Sequence, residues 1–385
     1  MIHPEVHNTV SLEFSAMARA KSVGGEKLHS LGLGEPFWPA PGAVRQKLSE
    51  IALSEHYGYK SPFGNQILRQ SIAHDVTAIA DARIEAENIL VTAGAKQALS
   101  VVFKTLLEDG DEAIVVDPCF VSYRPQVFLA NHNAKIIPWS LTDDFSIDIE
   151  ALKALITPRS KVLVVNSPNN PSGGLISAVE MQALVAIAKN HNLYLVCDEI
   201  YRDFVYHGAT FVSANAYRDI YDQIITIDGF SKTYGMTGWR LGYIVASKEF
   251  LQNAVKVVQH EMTNVPEILQ VAACEAFNLP DGWFEQYRSV LERNVDHYNN
   301  ALEDISILKT APIKAGMFCF PKFDLGDFTS DQVAVKLLHS QNVAVTPGVV
   351  FGKDWDSYLR VSLSSPEDEF HDAIEKFATF FRTFL

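Results

Sequence analysis

The chain has 385 residues, 48% of them apolar and 20% charged, with a formal net charge of −14. An acidic chain of this size can bury a large core and argues against a nucleic-acid partner, because phosphate binding needs clustered Lys and Arg. Cys119, Cys197, Cys274 and Cys319 lie far apart with no C-x-x-C pair, which disfavours structural zinc, and no apolar run reaches the ~18 residues of a membrane span.

The N-terminal stretch MIHPEVHNTV lacks the basic-then-apolar pattern of a secretion signal, so a cytoplasmic protein is expected. From NILVT (88–92) onward, apolar runs alternate with helical patterns. A helix is predicted over 95–108, and a strand at EAIVVD (112–117) ends in Asp-Pro. KVLVVN (161–166) leads into an Asn-, Pro- and Gly-rich turn, followed by a helix near 178–190. LYLVCDEI (193–200) and QIITIDGFSK (223–232) are two further runs, the second followed by a Gly-rich turn. Fully apolar strands alternating with helices predict an α/β fold, a mostly parallel sheet with helices on both faces. A long helical stretch, 283–304, then precedes shorter strands at 316–323, 342–348 and 357–365 and a last helix at 366–384. That part reads as a smaller α+β domain. The expected division is a large domain over 45–285 and a smaller one formed by 1–44 and 286–385.

No Walker-type loop, G-x-G-x-x-G, H-E-x-x-H or G-x-S-x-G occurs, which weakens NTPase, dehydrogenase, zinc-protease and hydrolase readings. The unusual polar residues instead follow the strands. Asp198 and Tyr201 follow one, Asn170 in N-S-P-N-N-P-S-G another, Ser231 and Lys232 a third, and Gly94 opens the helix after a fourth. Ligands of parallel sheets bind beyond these carboxyl ends. Taken singly, each residue has a plainer role. Lys232 would be a surface lysine, Asp198 a helix cap and Asn170 a turn residue. Arg240 would make a surface ion pair, while Tyr201 and Phe120 would pack. Taken together they suit pyridoxal 5′-phosphate, which needs a lysine for a Schiff base, a carboxylate for its ring nitrogen and an anion site for its phosphate. The helix start near Gly94, with Ser231 and Arg240, offers that anion site.

Seven stretches in order carry a resemblance: AGAKQAL (93–99), NSPNNPSGG (166–174), DEIYRDFVY (198–206), SKTYGMTGWRLGY (231–243), AGMFCFP (315–321), TPGVVFG (346–352) and YLRVSLS (358–364). With them the chain resembles the pyridoxal-phosphate aminotransferases of fold type I, class I/II, in the aspartate-aminotransferase-like branch. The resemblance implies that Lys232 forms the Schiff base, Asp198 pairs with the ring nitrogen, and Asn170 and Tyr201 hydrogen-bond the phenolate oxygen. It implies that Ala95, Lys96, Ser231 and Arg240 surround the phosphate and that Phe120 stacks on the ring. Gly34, Asn170 and Arg360 would take the substrate α-carboxylate. Tyr59 would reach the neighbouring subunit's phosphate, which requires a homodimer. The implied reaction is amino transfer between an α-amino acid and an α-keto acid. Its rivals are β-elimination or racemisation on the same cofactor, and a non-enzymatic binding or regulatory protein.

Two departures are visible. The chain has Pro118-Cys119-Phe120 where P-Y-W or P-Y-F is usual, and GEPFWPAP (34–41) where G-E-P-D-F-D-T-P is usual. Phe37 and Trp38 are therefore expected to make the substrate side apolar and to broaden the donor range beyond aspartate. In YLRVSLS, strict alternation puts Tyr358, Arg360, Ser362 and Ser364 on one face. Pattern alone makes that face solvated, whereas the resemblance turns it inward.

Overall fold

The computed structural model describes residues 2–6, 27–54 and 57–385. Most of the N-terminal arm expected to join the smaller domain lies outside the described residues. The central sheet has seven strands: β1 (Ile89–Thr92), β2 (Glu112–Asp117), β3 (Lys135–Ser140), β4 (Ser160–Asn166), β5 (Tyr194–Asp198), β6 (Ile224–Gly229) and β7 (Gly242–Val245). Their order is β1-β7-β6-β5-β4-β2-β3. β7 alone runs antiparallel to its neighbours, and the remaining pairings are parallel. The inner strands are Val-, Ile- and Leu-rich with almost every residue buried, as required when helices cover both faces.

Two strands escaped the sequence pattern. β3 (KIIPWS) carries Pro138, which cannot donate to a ladder; it is tolerated because β3 is an edge strand bonded only to β2. β7 is four residues long and hides within a Gly-rich stretch that reads as a turn.

The helices follow their local signals. α1 (Ala95–Leu106) buries Leu99, Val102, Phe103 and Leu106 against the sheet. α2 (Ala178–His191) begins with a reciprocal Ser177–Glu180 capping box and ends on left-handed Asn192.

The second lobe centres on α3 (Glu285–Leu302) and α4 (Glu367–Arg382), which pack together through residues such as Leu291, Tyr298, Phe370 and Phe377. A short antiparallel sheet sits beside them, with β10 (Leu359–Ser362) between β8 (Phe318–Cys319) and β9 (Thr346–Pro347). The strand expected over 316–323 is broken at Pro321. Lys322–Phe323 pairs instead with Leu308–Lys309. This core also takes in Ile200, Tyr201, Phe204 and Tyr206, the segment just after β5. The packing thus anchors the second lobe beside the carboxyl ends of the sheet.

Candidate active site

The parallel strands bring their carboxyl ends to one edge. Phe120 follows β2, Asn170 follows β4, Asp198 ends β5, and Ser231 and Lys232 follow β6. Because β7 runs the opposite way, the loop from Gly229 to Gly242 starts and finishes on that same edge. The eight-residue spacing from Lys232 to Arg240 falls within this loop. Gly242 also packs against the start of α1: a Cβ there would lie 2.7 Å from the Ala95 nitrogen. Gly94, with φ +80°, lets Arg240 approach, since a Cβ at this position would sit 2.5 Å from Arg240 Nη2.

These residues line a cavity of about 510 Å³. Its lining includes Gly34, Ala95, Lys96, Phe120, Asn170, Asp198, Tyr201, Ser231, Lys232 and Arg240. Gly94, the residue before Ala95, is the N-cap of α1 and is not itself in the lining. Gly94 gives α1 no side-chain cap, so the first N–H groups of the helix are left for an anion. Tyr59 is outside the cavity and 87% exposed.

Lys232 is half-buried, and its amine donates to the Gly34 carbonyl. Desolvation lowers it to about 8, helped by Arg360 and Arg240 and opposed by Glu35 and Asp198. Asp198 is raised by burial to about 6, although Tyr123, the Ile200 N–H and Lys232 all favour its ionised form. Its Oδ2 accepts from the Tyr123 hydroxyl at 2.8 Å and its Oδ1 from the Ile200 N–H at 3.3 Å. Burial pushes the Tyr201 phenol well up, against the pull of Arg360. Lys96 is lowered by desolvation and then by Arg240, and its amine lies 5.6 Å from the centre of the Phe120 ring.

Arg360 sits behind Asn170 on β10. It donates to Asn170 Oδ1 at 3.1 Å, the Gly32 carbonyl at 2.8 Å and Thr346 Oγ1 at 3.2 Å. Its Nε is buried without a hydrogen-bond partner, and burial lowers the group to about 10. No carboxylate lies within salt-bridge distance of Arg360 or Lys232 among the described residues. The face shared by Tyr358, Arg360, Ser362 and Ser364 is buried throughout, so the solvated reading of that strand fails. The reason is tertiary: Arg360 lies over the Phe318 ring, 4.2 Å from its centre.

The expectation for Trp38 also fails. Trp38 does not line the cavity. It is 3% exposed, donates to the Thr233 carbonyl at 2.9 Å and stacks on Tyr287 at 4.9 Å. Phe37 packs edge-on to it. Trp38 thus packs against the second core, and Phe37 lines a neighbouring cavity with Glu35 and Ser364. Sequence reasoning also passed over Tyr123, Thr346 and the Gly32 carbonyl, which hold Asp198 and Arg360. Only Thr346 carried a signal, as the first residue of TPGVVFG.

A lysine amine, a buried carboxylate and a helix N-terminus thus share one cavity at the carboxyl edge of this sheet. The family model "Aminotransferase class I and II" matches residues 27–377. The aspartate aminotransferase of Pyrococcus abyssi is 30% identical over 360 residues, 92% of each chain. Aromatic-amino-acid aminotransferase 2 of Thermococcus litoralis is 28% identical, covering 92% of this chain and 91% of its own. The crystal structure of the Thermotoga maritima aspartate aminotransferase superposes with a TM-score of 0.91 at 28% identity, covering 98% of both chains. The chain belongs to the class I and II aminotransferases.

Proposed function

We propose that this enzyme moves an amino group between an α-amino acid and an α-keto acid, using pyridoxal 5′-phosphate held in the strand-end cavity. One observation carries this reading: Lys232 and Asp198 follow adjacent parallel strands and share one cavity with the N-terminus of α1. The residues present fit the cofactor. Among the described residues no carboxylate lies within salt-bridge distance of Lys232, Arg360 Nε has no hydrogen-bond partner, and the start of α1 beside Arg240 is an uncapped cradle for a phosphate.

When bound, pyridoxal phosphate supplies an electron sink for ionisation of the substrate Cα–H bond. Lys232 Nζ holds the cofactor and then carries the proton from the substrate carbon. Its lowered pKa of about 8 leaves part of the population neutral near pH 7. Asp198 keeps the proton on the ring nitrogen. Tyr201 and Asn170 would hydrogen-bond the cofactor's phenolate oxygen, and Phe120 would cover its ring. Ala95, Lys96, Ser231 and Arg240 hold the phosphate. Arg360, with Asn170 and Gly34, grips the α-carboxylate and orients the Cα–H bond.

We further propose the two-domain division at 45–285 against 1–44 with 286–385, and a homodimer in which exposed Tyr59 serves the partner's site. A cytoplasmic location fits the free cysteines. No described helix is long and apolar enough to cross a membrane.

Borohydride reduction of the loaded enzyme followed by peptide mapping tests the site. A pyridoxyl label on Lys232 is expected, and a label on Lys96 would overturn the assignment. An amino-donor screen tests the reaction: the matching keto acid is expected, whereas pyruvate with free ammonia from serine would point to elimination.

A further inference from the structure

Tyr123 lies in the segment that leaves β2, three residues after Phe120. Its N–H bonds the Phe120 carbonyl at 3.0 Å, and its ring meets the Phe120 ring edge-on at 5.7 Å. The side chain is fully buried and does not line the cavity. Tyr123 therefore touches neither substrate nor cofactor. Its hydroxyl goes to Asp198 Oδ2 at 2.8 Å. A phenylalanine would fill the same space without a polar atom to satisfy, so the hydroxyl is explained by Asp198 rather than by packing.

Every other polar partner of the Asp198 side chain is weaker or more distant. The Ile200 N–H bonds Oδ1 at 3.3 Å. Lys232 favours the carboxylate from beyond salt-bridge distance. Tyr201 and Cys197 also lie close enough to feel the charge, and Cys119 faces Tyr123 from behind. Tyr123 is thus the one side-chain hydrogen-bond donor to Asp198 among the described residues.

We propose that Tyr123 is a positioning residue: its hydroxyl locks the Asp198 carboxylate in one orientation and keeps it ionised toward the cofactor ring nitrogen. This rests on the reading that Asp198 serves that nitrogen. It also gives the β2–Tyr123 segment two tasks, since the same turn supplies Phe120 to the ring face and holds the acid at the ring edge.

Tyr123→Phe tests the proposal, first without cofactor. The protonated-carboxyl infrared band that Asp198→Asn removes is titrated in the cofactor-free wild type and in Tyr123→Phe. Loss of the donor should raise the midpoint by about one pH unit. Replacing Tyr123 by 3,5-difluorotyrosine, a stronger donor of nearly the same shape, should lower it. In the loaded enzyme, Tyr123→Phe should reduce kcat about tenfold, with KM for the donor near wild type. Unchanged midpoints in both variants would overturn the proposal, even if Tyr123→Phe were less stable. A shifted midpoint with unchanged kcat would support the hold on Asp198 and overturn the role of Asp198 at the ring.

Discussion

Arg202 and Arg360 are both buried guanidiniums close to the same strand ends, and their surroundings are opposite in kind. Arg202 bonds Asp75 at 2.6 Å and Asp228 at 3.1 Å, with Asp203 at 3.7 Å. The carboxylates are satisfied in turn: Tyr243 donates to Asp228 at 2.8 Å and Thr233 to Asp203 at 2.6 Å. Among the described residues, Arg360 meets only neutral acceptors and leaves Nε unpaired. A buried charge without a counter-charge is costly, so its persistence needs a reason outside the apoprotein. A substrate carboxylate supplies one. Arg202 is thus neutralised within the scaffold, and on the proposed reading Arg360 is kept for the substrate.

The sharpest break of this contrast is at the lysine. Lys232→Ala should lower kcat by about 10⁴-fold or more, since it removes both the covalent anchor and the proton carrier. Steady-state turnover of any accepted donor measures it, and residual activity above a few per cent would sink the assignment. Next comes Arg360. Arg360→Met should lower kcat/KM by about 100-fold for every donor alike, because all share the α-carboxylate. A loss confined to acidic donors would move Arg360 to the side-chain pocket.

Arg202 should behave differently. Arg202→Met strands Asp75, Asp203 and Asp228 and should cost about 3–5 kcal/mol of stability. At a temperature where the variant stays folded, its donor preference should be unchanged. Denaturant unfolding beside a donor panel separates the two effects. Trp38→Ala should likewise cost about 3–5 kcal/mol by emptying a packed aromatic site. The ratio of kcat/KM for aspartate to that for phenylalanine should stay within about twofold of wild type, and a larger change would restore Trp38 to substrate selection.

The smallest effect is a pH dependence of the cofactor-free protein. Lys232 is lowered from 10.5 to about 8 on folding. Between those values the unfolded chain binds more protons than the native one, so this group's contribution makes stability rise with pH across that window. Below pH 8 the charged amine is equally protonated in both states, and its burial is a constant penalty. Lys232→Met should therefore be the more stable protein at pH 7, with the advantage shrinking as pH rises through about 8 to 10.5. Chemical denaturation at pH 7 and pH 10 reads the difference, and a constant gap would refute the desolvation of Lys232.

The carboxyl-edge residues were legible because parallel strands are buried on both faces. Each apolar run has to stop at a polar residue, and in a parallel sheet those stops fall on one edge. That pattern puts Asp198, Asn170, Ser231 and Lys232 near one edge, while their roles were implied by the resemblance. Arg240 was legible as a motif, but its place on the same edge depends on β7 turning back, which four residues in a Gly-rich stretch did not announce. Arg360 was misread by pattern, because alternation reports which residues share a face and not what covers it. The cover came from Phe318 on the neighbouring strand and Phe351 beyond it. Trp38 was misread for the converse reason. An aromatic next to a known loop looks like a pocket wall until its partners, Phe204, Phe284 and Tyr287, arrive from more than 160 residues away.

By itself the sequence determined the parallel core, the helix starts and the polar residues at the strand ends, since these depend on local periodicity and caps. Only the tertiary structure decided which charges are paired and which are left open. Pairing depends on distances between segments far apart in the chain, such as Arg202 with Asp75 and Arg360 with Gly32, and no local pattern encodes those distances.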